Sequence, residues 1–364
     1  MPVTDPSVPV LDLTASSPEL TRQICDIESV SGNEQRLADA VETALSGFSH
    51  LEVIRDADAV VARTNGGKAQ RVVIAGHLDT VPVNANLPTT LEMIDGEEHL
   101  VGRGTVDMKG AVAIALKLAG ELVDPAVDVT WIFYDHEEVA AELNGLGRIA
   151  RNRPDLMVGD FAIIGEPSNS TVEGGCNGTA RIDISLKGVR AHSARAWMGE
   201  NAIHAAAPVL AILAAYEPEQ HEVDGLVYRE CLNAVGISGG VAGNVIPDAA
   251  TVTVNFRFAP DRSADQAIDY LRDVFDGFDF EVTDLAGGAR PGLDAPLAKN
   301  FLAAVGGTPA PKYGWTDVAR FAEHGVPAVN YGPNPLRAHA DDERVATSEI
   351  VACEQGLRAW LTAR

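Results

Sequence analysis

Three apolar segments decide the fold: RVVIAG (71–76), VDVTWIFY (127–134) and DFAIIG (160–165). Each is a continuous run of β-branched, aliphatic or aromatic residues, which is typical of a central strand covered on both faces of its sheet. Helical patterns alternate with such strands along this part of the chain. The pattern predicts an α/β domain in which helices cover both faces of the sheet.

Polar side chains follow each of these strands at once. His77 and Asp79 follow the first strand, Glu137 and Glu138 the second, and Glu166 the third. In open α/β sheets, ligands bind beyond the carboxyl ends of the strands. Histidine nitrogen and carboxylate oxygen are ligands that catalytic zinc uses. The sequence therefore predicts a metal site at this edge of the sheet.

Two more candidate ligands lie in other motifs, Asp107 in GRGTVDMKG (102–110) and His339 in AHADDERV (338–345). Asp107 precedes an amphipathic helix, so it fits either an N-cap or a carboxylate that bridges two metals. A similar helix start is predicted earlier in the chain, where Ser31 fits an N-cap and Glu34 completes a capping box. Alone, His339 is weak evidence for a metal site. Together with the other candidates it completes a set of N and O ligands for two zinc ions.

The adjacent pair Glu137 and Glu138 suits two different tasks. On a strand end the two side chains point in opposite directions, so one can bind metal while the other acts as a general base. A solvated acidic turn is the alternative, and His136 competes with Glu138 as a ligand. Asp79 is placed to accept the second ring proton of His77 and so to fix its tautomer.

The character of the chain changes near Gly178. From there the elements follow the order β-α-β-β-α-β, which predicts a ferredoxin-like α+β domain. The segment AGGARPGLDAP (286–296) suits a linker, and α/β character then returns. We expect one domain built from residues 1–177 and 293–364, with residues 178–292 inserted into it.

Composition limits the classes of partner. The 364 residues include 52 acidic and 28 basic side chains, a formal charge of −24 that disfavours nucleic acid and anionic membranes. The stretch MPVTDPSVPVLDLTASS lacks the features of a signal peptide, and no apolar run is long enough to span a bilayer. Four scattered cysteines form no CxxC pair. We expect a cytoplasmic protein that contacts neither nucleic acid nor membrane.

An ordered set of motifs carries a family resemblance. The motifs are HLD (77–79), GRGTVDMKG, DHEE (135–138), GEP (165–167), AHS (191–193), GNVIP (243–247) and AHADDE (338–343). The set, which covers nearly the whole chain, resembles the di-zinc metallopeptidase family that includes aminoacylases, glutamate carboxypeptidases, acetylornithine deacetylases and succinyl-diaminopimelate desuccinylases. The segments KYGWTDVARF (312–321) and VPAVNYGP (326–333) are most similar to actinobacterial members of the last group.

The resemblance implies a zinc-peptidase-like α/β/α domain with two zinc ions per subunit, which Co²⁺ can replace. One ion would be held by His77 and Glu166 and the other by Glu138 and His339, with Asp107 between them. Asp79 would orient His77, and Glu137 would move the proton. The Asp107–Met108 peptide is cis in the family.

The resemblance also implies residues that act on the substrate. His192 would stabilise the oxyanion in the active site of the partner subunit, within a homodimer formed through the inserted domain. An arginine can grip a carboxylate with two hydrogen bonds, which suits Arg257. Further substrate contacts are implied for Asn244, Thr316 and Asn334.

The implied substrate is a small acylated amino acid. The expected reaction cleaves N-succinyl-LL-2,6-diaminopimelate to succinate and LL-2,6-diaminopimelate, a step of lysine and meso-diaminopimelate biosynthesis. An acetylornithine deacetylase, an aminoacylase or a dipeptidase would use the same scaffold. A catalytically silent homologue that binds metal or an amino acid is a further alternative, although such a protein would not need Glu137.

Overall fold

The computed structural model describes residues 8–363, so the first seven residues of the N-terminal stretch and residue 364 lie outside it. The described chain divides into two compact units. The main unit comprises the described residues up to Gly174, Gly292–Ala310 and the described residues from Thr316 onward. The inserted unit comprises Gly175–Pro291 and Pro311–Trp315. The sequence predicts domain boundaries after residues 177 and 292, close to those of the structure. It assigns the segment Pro311–Trp315 to the main domain, and this assignment is wrong, because the segment lies in the inserted unit.

In chain order, the strands of the described residues are β1 (Glu52–Asp56), β2 (Ala59–Arg63), β3 (Arg71–His77), β4 (Thr90–Ile94), β5 (Glu97–Val101), β6 (Asp128–Tyr134), β7 (Phe161–Ile164), β8 (Glu173–Gly174), β9 (Gly178–Lys187), β10 (Ala191–His192), β11 (Gln220–Val223), β12 (Leu226–Arg229), β13 (Cys231–Gly239), β14 (Val245–Ile246), β15 (Ala249–Phe258), β16 (Phe280–Ala286), β17 (Ala310–Pro311), β18 (Ala328–Asn330) and β19 (Arg344–Ala346).

The α-helices are α1 (Ser17–Cys25), α2 (Gln35–Leu45), α3 (Lys109–Glu121), α4 (Gly145–Asn152), α5 (Ala207–Ala214), α6 (Ala264–Val274), α7 (Pro296–Val305), α8 (Val318–Glu323) and α9 (Thr347–Thr362). None of the helices within residues 8–363 is both long and apolar enough to cross a bilayer.

An eight-stranded sheet organises the main unit, in the order β1-β2-β6-β3-β7-β18-β8-β17. Its central strands β6, β3, β7 and β18 are parallel neighbours. All seven residues of β6 are buried, and so are all four of β7. These strands include most of the three apolar segments, so the α/β prediction is confirmed, and the continuous apolar pattern reflects burial on both faces.

Helix α3 differs from its prediction as an amphipathic helix. Every residue from Lys109 to Gly120 except Ala111 is buried, because α3 packs against β3 and is itself covered by α1 and α9. Lys109 tolerates this burial because its ammonium donates to the carbonyl oxygens of Ile24 and Ile27. The helix is therefore an internal layer between the sheet and two outer helices.

The inserted unit has the predicted ferredoxin-like order. Its four long strands form an antiparallel sheet, β13-β15-β9-β16, and helices α5 and α6 pack against β13 and β9. Helix α5 begins at Ala207, six residues later than the predicted start, with Pro208 in its first turn. Two short antiparallel ribbons, β10-β14 and β11-β12, were not predicted.

Candidate metal centre

The candidate ligands converge because their strands are parallel. Strand β3 ends on His77, which lies opposite Tyr134, the last residue of β6. Glu138 follows four residues after Tyr134, and Glu166 follows two residues after the end of β7 at Ile164. The carboxyl ends of parallel neighbours meet at one edge of the sheet, and polar side chains from three strands meet there.

Asp107 lies between two histidines. One carboxylate oxygen, Oδ1, is 3.2 Å from Nε2 of His77. The other, Oδ2, is 3.2 Å from Nε2 of His339, whose same nitrogen lies 3.0 Å from Oε1 of Glu138. The ligand atoms of His77, Asp107 and Glu166 lie within 4.8 Å of one another, as do those of Asp107, Glu138 and His339. The structure thus brings all five predicted ligands together in two groups that share Asp107.

This donor set fits two divalent cations. A carboxylate whose two oxygens face different imidazoles has the geometry of a bridging ligand, and imidazole with carboxylate is a ligand chemistry that zinc accepts. Asp107 is not the N-cap of α3, although the sequence left that role open. Helix α3 begins at Lys109, and its N-cap is Met108 without a side-chain hydrogen bond. The Asp107–Met108 peptide is cis, as the resemblance implied.

A glycine lets the start of α3 approach the sheet. A Cβ on Gly165 would lie 2.6 Å from the Cβ of Ala111 and 2.7 Å from Cε of Met108, so no larger residue fits without a shift. Gly165 directly precedes Glu166, and Met108 directly follows Asp107. The close packing at Gly165 therefore helps to set the distance between two candidate ligands.

Asp79 makes contacts that the sequence did not predict. The nearest acceptor for Nδ1 of His77 is the main-chain carbonyl of Asp79 at 3.0 Å, whereas its carboxylate is 3.5 Å away. This carboxylate is fully buried and accepts hydrogen bonds from the backbone N–H groups of Glu137 and Glu138, both at 3.0 Å. The hydroxyl of Ser31 donates to it at 2.7 Å. Asp79 therefore anchors the segment that carries both glutamates.

The segment from His136 to Glu138 is a loop and not a strand end. Strand β6 stops at Tyr134, and His136 has a φ of 59°, a left-handed conformation that non-glycine residues rarely adopt. Its backbone N–H donates to the buried carboxylate of Glu34 at 3.2 Å. Three consecutive N–H groups thus point at buried carboxylates, an arrangement typical of anion-binding loops but filled here by the protein's own side chains.

Two sequence interpretations change at this point. Ser31 and Glu34 do not form a capping box, because α2 begins only at Gln35 without a side-chain cap, and both residues support the loop instead. The ring of His136 bonds to the carboxylate of Asp135 at 2.8 Å. Within the described residues His136 belongs to none of the ligand groups.

The pKa of Glu137 lies well above its usual range. Burial is the largest cause, and the negative charges of Glu166, Asp317 and Glu138 add to it, while His77 opposes them. A general base works best when its pKa is near the operating pH, so this shift suits proton transfer. The buried Asp317 was not predicted as part of the site, because its only sequence signal is its place in the KYGWTDVARF segment.

Both histidines of the centre hold protons strongly. Hydrogen bonds to Asp107 and Glu138 raise the pKa of His339 to about 10. Burial alone would lower the pKa of His77, but its hydrogen bond to Asp107 and the charge of Asp79 raise it well above the usual value. The negative charge that keeps these rings protonated also attracts divalent cations.

Two predicted residues of the inserted unit lie together. His192 pairs with Val245 in the ribbon β10-β14, and the N–H of Ser193 donates to the carbonyl of Asn244 at 2.9 Å. Nδ1 of His192 accepts a hydrogen bond from the N–H of Ala194 at 3.1 Å. This contact leaves the proton of a neutral imidazole on Nε2, where the exposed ring can donate it.

Arg257 lies on β15, on the face of the sheet that does not carry the core. Its Nε donates to Oδ1 of Asn255 at 3.1 Å, and burial lowers the pKa of Arg257 without removing its charge. The charge of Asp284 opposes this shift, but within the described residues the carboxylate of Asp284 lies 3.9 Å from the guanidinium of Arg181 and forms no ion pair with Arg257. Among these residues Arg257 is thus a half-buried cation without an ion-pair partner.

The remaining two candidates have structural contacts. Thr316 is buried, and its hydroxyl donates to Oδ1 of Asn330 at 2.8 Å. The side-chain oxygen of Asn334 accepts from the N–H of Leu336 at 2.9 Å, and its backbone N–H donates to Glu349. Neither side chain is among the ligand groups of the described residues.

Relatives with similar sequences bear on this centre. The chain is 51% identical over 356 residues to a Mycobacterium tuberculosis protein provisionally named a succinyl-diaminopimelate desuccinylase, with 97% of this chain and 99% of that protein covered. It is 43% identical over 366 residues to the succinyl-diaminopimelate desuccinylase of Corynebacterium glutamicum, covering 97% and 98% of the two chains.

Solved structures share the fold. A dinuclear metal-binding M20 peptidase of Bacillus subtilis superposes with a TM-score of 0.70 at 17% identity, covering 95% of this chain and 96% of that one. The sequence model of peptidase family M20/M25/M40 matches residues 73–363, which include every candidate ligand. The chain therefore belongs to peptidase family M20/M25/M40.

Proposed function

We propose that this protein hydrolyses the amide of N-succinyl-LL-2,6-diaminopimelate to succinate and LL-2,6-diaminopimelate. The observation that carries the proposal is the carboxylate of Asp107 held between His77 and His339 in a chain 51% identical to the mycobacterial relative. His77 and Glu166 would hold one zinc ion, Glu138 and His339 the other, and Asp107 both. Cobalt fits the same N and O ligands.

Glu137 has the central role among the chain's own residues. Bound zinc supplies Lewis-acid polarisation of the scissile carbonyl and lowers the pKa of water. Glu137 takes the proton from the attacking water and delivers it to the leaving amine. Asp79 keeps Glu137 in place through the backbone N–H group.

The inserted unit would recognise the substrate. The substrate carries a succinyl carboxylate and two amino-acid carboxylates, so an unpaired cation is a suitable partner for one of them. Arg257 is such a cation, and Asn244 lies beside His192. His192 would donate from Nε2 to the oxyanion. Thr316 and Asn334 would make further contacts with the substrate.

A substrate panel tests the proposal. The purified protein, loaded with zinc or with cobalt, is offered succinyl-diaminopimelate, acetylornithine, an N-acetyl amino acid and a set of dipeptides, and release of the amine is followed. We expect the highest kcat/KM for the succinyl substrate. A preference for any other member would replace the proposed substrate, and no turnover at all would favour a silent binding homologue.

Proton release on metal binding is a further prediction. In the metal-free protein His339 has a pKa of about 10 and that of His77 is also raised, so both rings are protonated at pH 7. A cation must displace these protons, and its apparent affinity should rise with pH, about tenfold per pH unit for each proton lost. The rise should end as the pH passes the folded pKa.

Calorimetric titration of zinc in buffers of different ionisation enthalpy measures the protons released. We expect close to one proton for each zinc ion in the wild type. His339→Ala should remove one proton from the total, whereas His99→Ala, in the strand β5, should leave it unchanged. Zinc binding that is independent of pH between 6 and 9 would contradict the assignment of the two histidines.

The inserted unit supports the proposal of a homodimer. Strand β13 is at an edge of its sheet, and Val235 and Ile237 on it are 60% and 56% exposed. Trp197 and Val241 of the same unit are 81% and 65% exposed. An exposed apolar edge strand, in a unit that exposes further large apolar side chains, is a surface that proteins usually cover. Light scattering on the purified protein measures its molar mass, and the proposal requires the mass of two chains.

Subunit complementation tests the role of His192. Glu137→Gln and His192→Ala should each be nearly inactive when expressed as the only variant. When both chains are co-expressed, a mixed dimer keeps one site with Glu137 from one subunit and His192 from the other. Because half of randomly formed dimers are mixed, we expect recovery of about a quarter of wild-type activity. No recovery in a verified mixed dimer would place His192 in the site of its own chain.

A further inference from the structure

We infer that Glu343, with Arg103, is a positioning residue that ties the bridging ligand Asp107 to the loop of His339. The inference rests on the proposed metal site. Glu343 is not one of the five ligands, and the sequence showed it only as the last acidic residue of AHADDE. It is 1% exposed, although a buried carboxylate is costly unless all its oxygens are paired.

The first contact fixes the backbone of Asp107. Oε1 of Glu343 accepts hydrogen bonds from the N–H groups of Val106 at 3.0 Å and of Asp107 at 3.2 Å. The chain pairs again next to these residues: strand β19, which follows Glu343, is antiparallel to β5, and Arg344 lies opposite Val101. The N–H of Gly102 donates to the carbonyl of Glu343 at 2.8 Å. The position of Asp107 therefore depends on the position of Glu343.

The second contact joins Glu343 to the remaining ligand segments. Nη1 of the buried Arg103 lies 2.7 Å from Oε2 of Glu343 and also donates to the carbonyl of Ala340, directly after His339, at 3.3 Å. Nε of Arg103 donates to the carbonyl of Pro82, five residues after His77, at 3.1 Å. One ion pair thus connects the segments that carry His77, Asp107 and His339.

The backbone conformation at His339 explains why this support matters. His339 has a φ of 64°, a conformation that non-glycine residues rarely adopt. Its ring is 51% exposed, so packing alone does not hold it. Outer contacts of this kind typically change metal affinity by about 10- to 100-fold when they are lost.

The inserted unit offers a matched control. Glu230 is also fully buried, accepts a backbone N–H from Ala259 at 2.9 Å and pairs with Arg262 at 3.1 Å. It is far in sequence from all five ligands and belongs to the other unit. Because Glu230 lies there in a separate acidic group with Glu219 and His221, both titrations are limited to two zinc ions per chain. Glu343→Gln and Glu230→Gln therefore make the same chemical change to the same kind of ion pair.

Zinc affinity, measured by competition with a chromogenic chelator, separates the two roles, and thermal unfolding of the metal-free proteins checks the fold. We expect the Kd for zinc to rise about 10- to 100-fold in Glu343→Gln and to stay within about twofold in Glu230→Gln. Unchanged affinity in folded Glu343→Gln, or equal weakening in both variants, would overturn the inference.

A second pair of variants covers the case in which Glu343→Gln does not fold. Arg103→Lys keeps the positive charge but loses the planar fork that reaches two carbonyls and a carboxylate, and Arg262→Lys is its control. We expect weaker zinc binding only in Arg103→Lys, and equal binding in both would overturn the inference. If the wild type itself binds fewer than two zinc ions, the proposed metal site fails, whatever the variants do.

Discussion

Glu137→Gln should retain two zinc ions per chain and lose nearly all turnover. Glutamine keeps the size and the backbone contact to Asp79 but cannot accept a proton from water. General acid–base catalysis typically contributes about 10²- to 10⁴-fold, and a residue that acts on both the water and the leaving amine belongs near the upper end. We therefore expect kcat to fall by about 10³-fold or more, with KM little changed.

The same variant distinguishes a base from a ligand. Ligand atoms of Glu137 lie within 4.8 Å of those of His77 and Glu138, so a metal-binding role is geometrically open. Loss of one zinc ion, measured by elemental analysis after dialysis, would identify Glu137 as a ligand, and full activity would exclude it from both roles. Glu142→Gln changes the same charge at an exposed position in the same loop and should leave kcat unchanged.

The fold was predictable because its signals are local. The apolar segments at 71–76, 127–134 and 160–165 each specify a buried strand, and parallel pairing then places their polar ends at one edge. The β-α-β-β-α-β order gave the topology of the inserted unit for the same reason. The ribbons β10-β14 and β11-β12 escaped prediction, because strands of two to four residues carry almost no periodic pattern.

The support of the site was not predictable, because it depends on contacts between distant segments. Glu34 accepts a hydrogen bond from the backbone N–H of His136, 102 residues further along the chain. Glu343 accepts one from the backbone N–H of Asp107, 236 residues earlier. Locally, Glu34 looked like part of a capping box, since the pattern fits and only tertiary structure shows that α2 starts later. Asp79 was expected to hold the ring of His77 through its carboxylate, but the main-chain carbonyl is the nearer acceptor, and the carboxylate accepts hydrogen bonds from the loop of Glu137 and Glu138.

Asp107→Asn tests whether two cations share one carboxylate. Asparagine has nearly the same shape but offers only one oxygen, and its NH₂ group cannot bind a cation. The present geometry gives His77 and His339 a different oxygen each, so one of the two groups must lose a ligand. We expect bound zinc to fall from two ions per chain to one or none, and kcat/KM to fall by about 10³-fold, about 4 kcal/mol of transition-state stabilisation.

Thermal unfolding gives a second measurement of the same variant that does not depend on activity. A ligand that binds only the folded state stabilises it by about 4 kcal/mol when its concentration is a thousand times its Kd. Zinc should therefore raise the Tm of the wild type clearly and that of Asp107→Asn much less. Asp341→Asn removes an exposed charge from the loop of His339 and should respond to zinc like the wild type. A full zinc response in Asp107→Asn, with two ions bound, would mean that Asp107 does not bridge them.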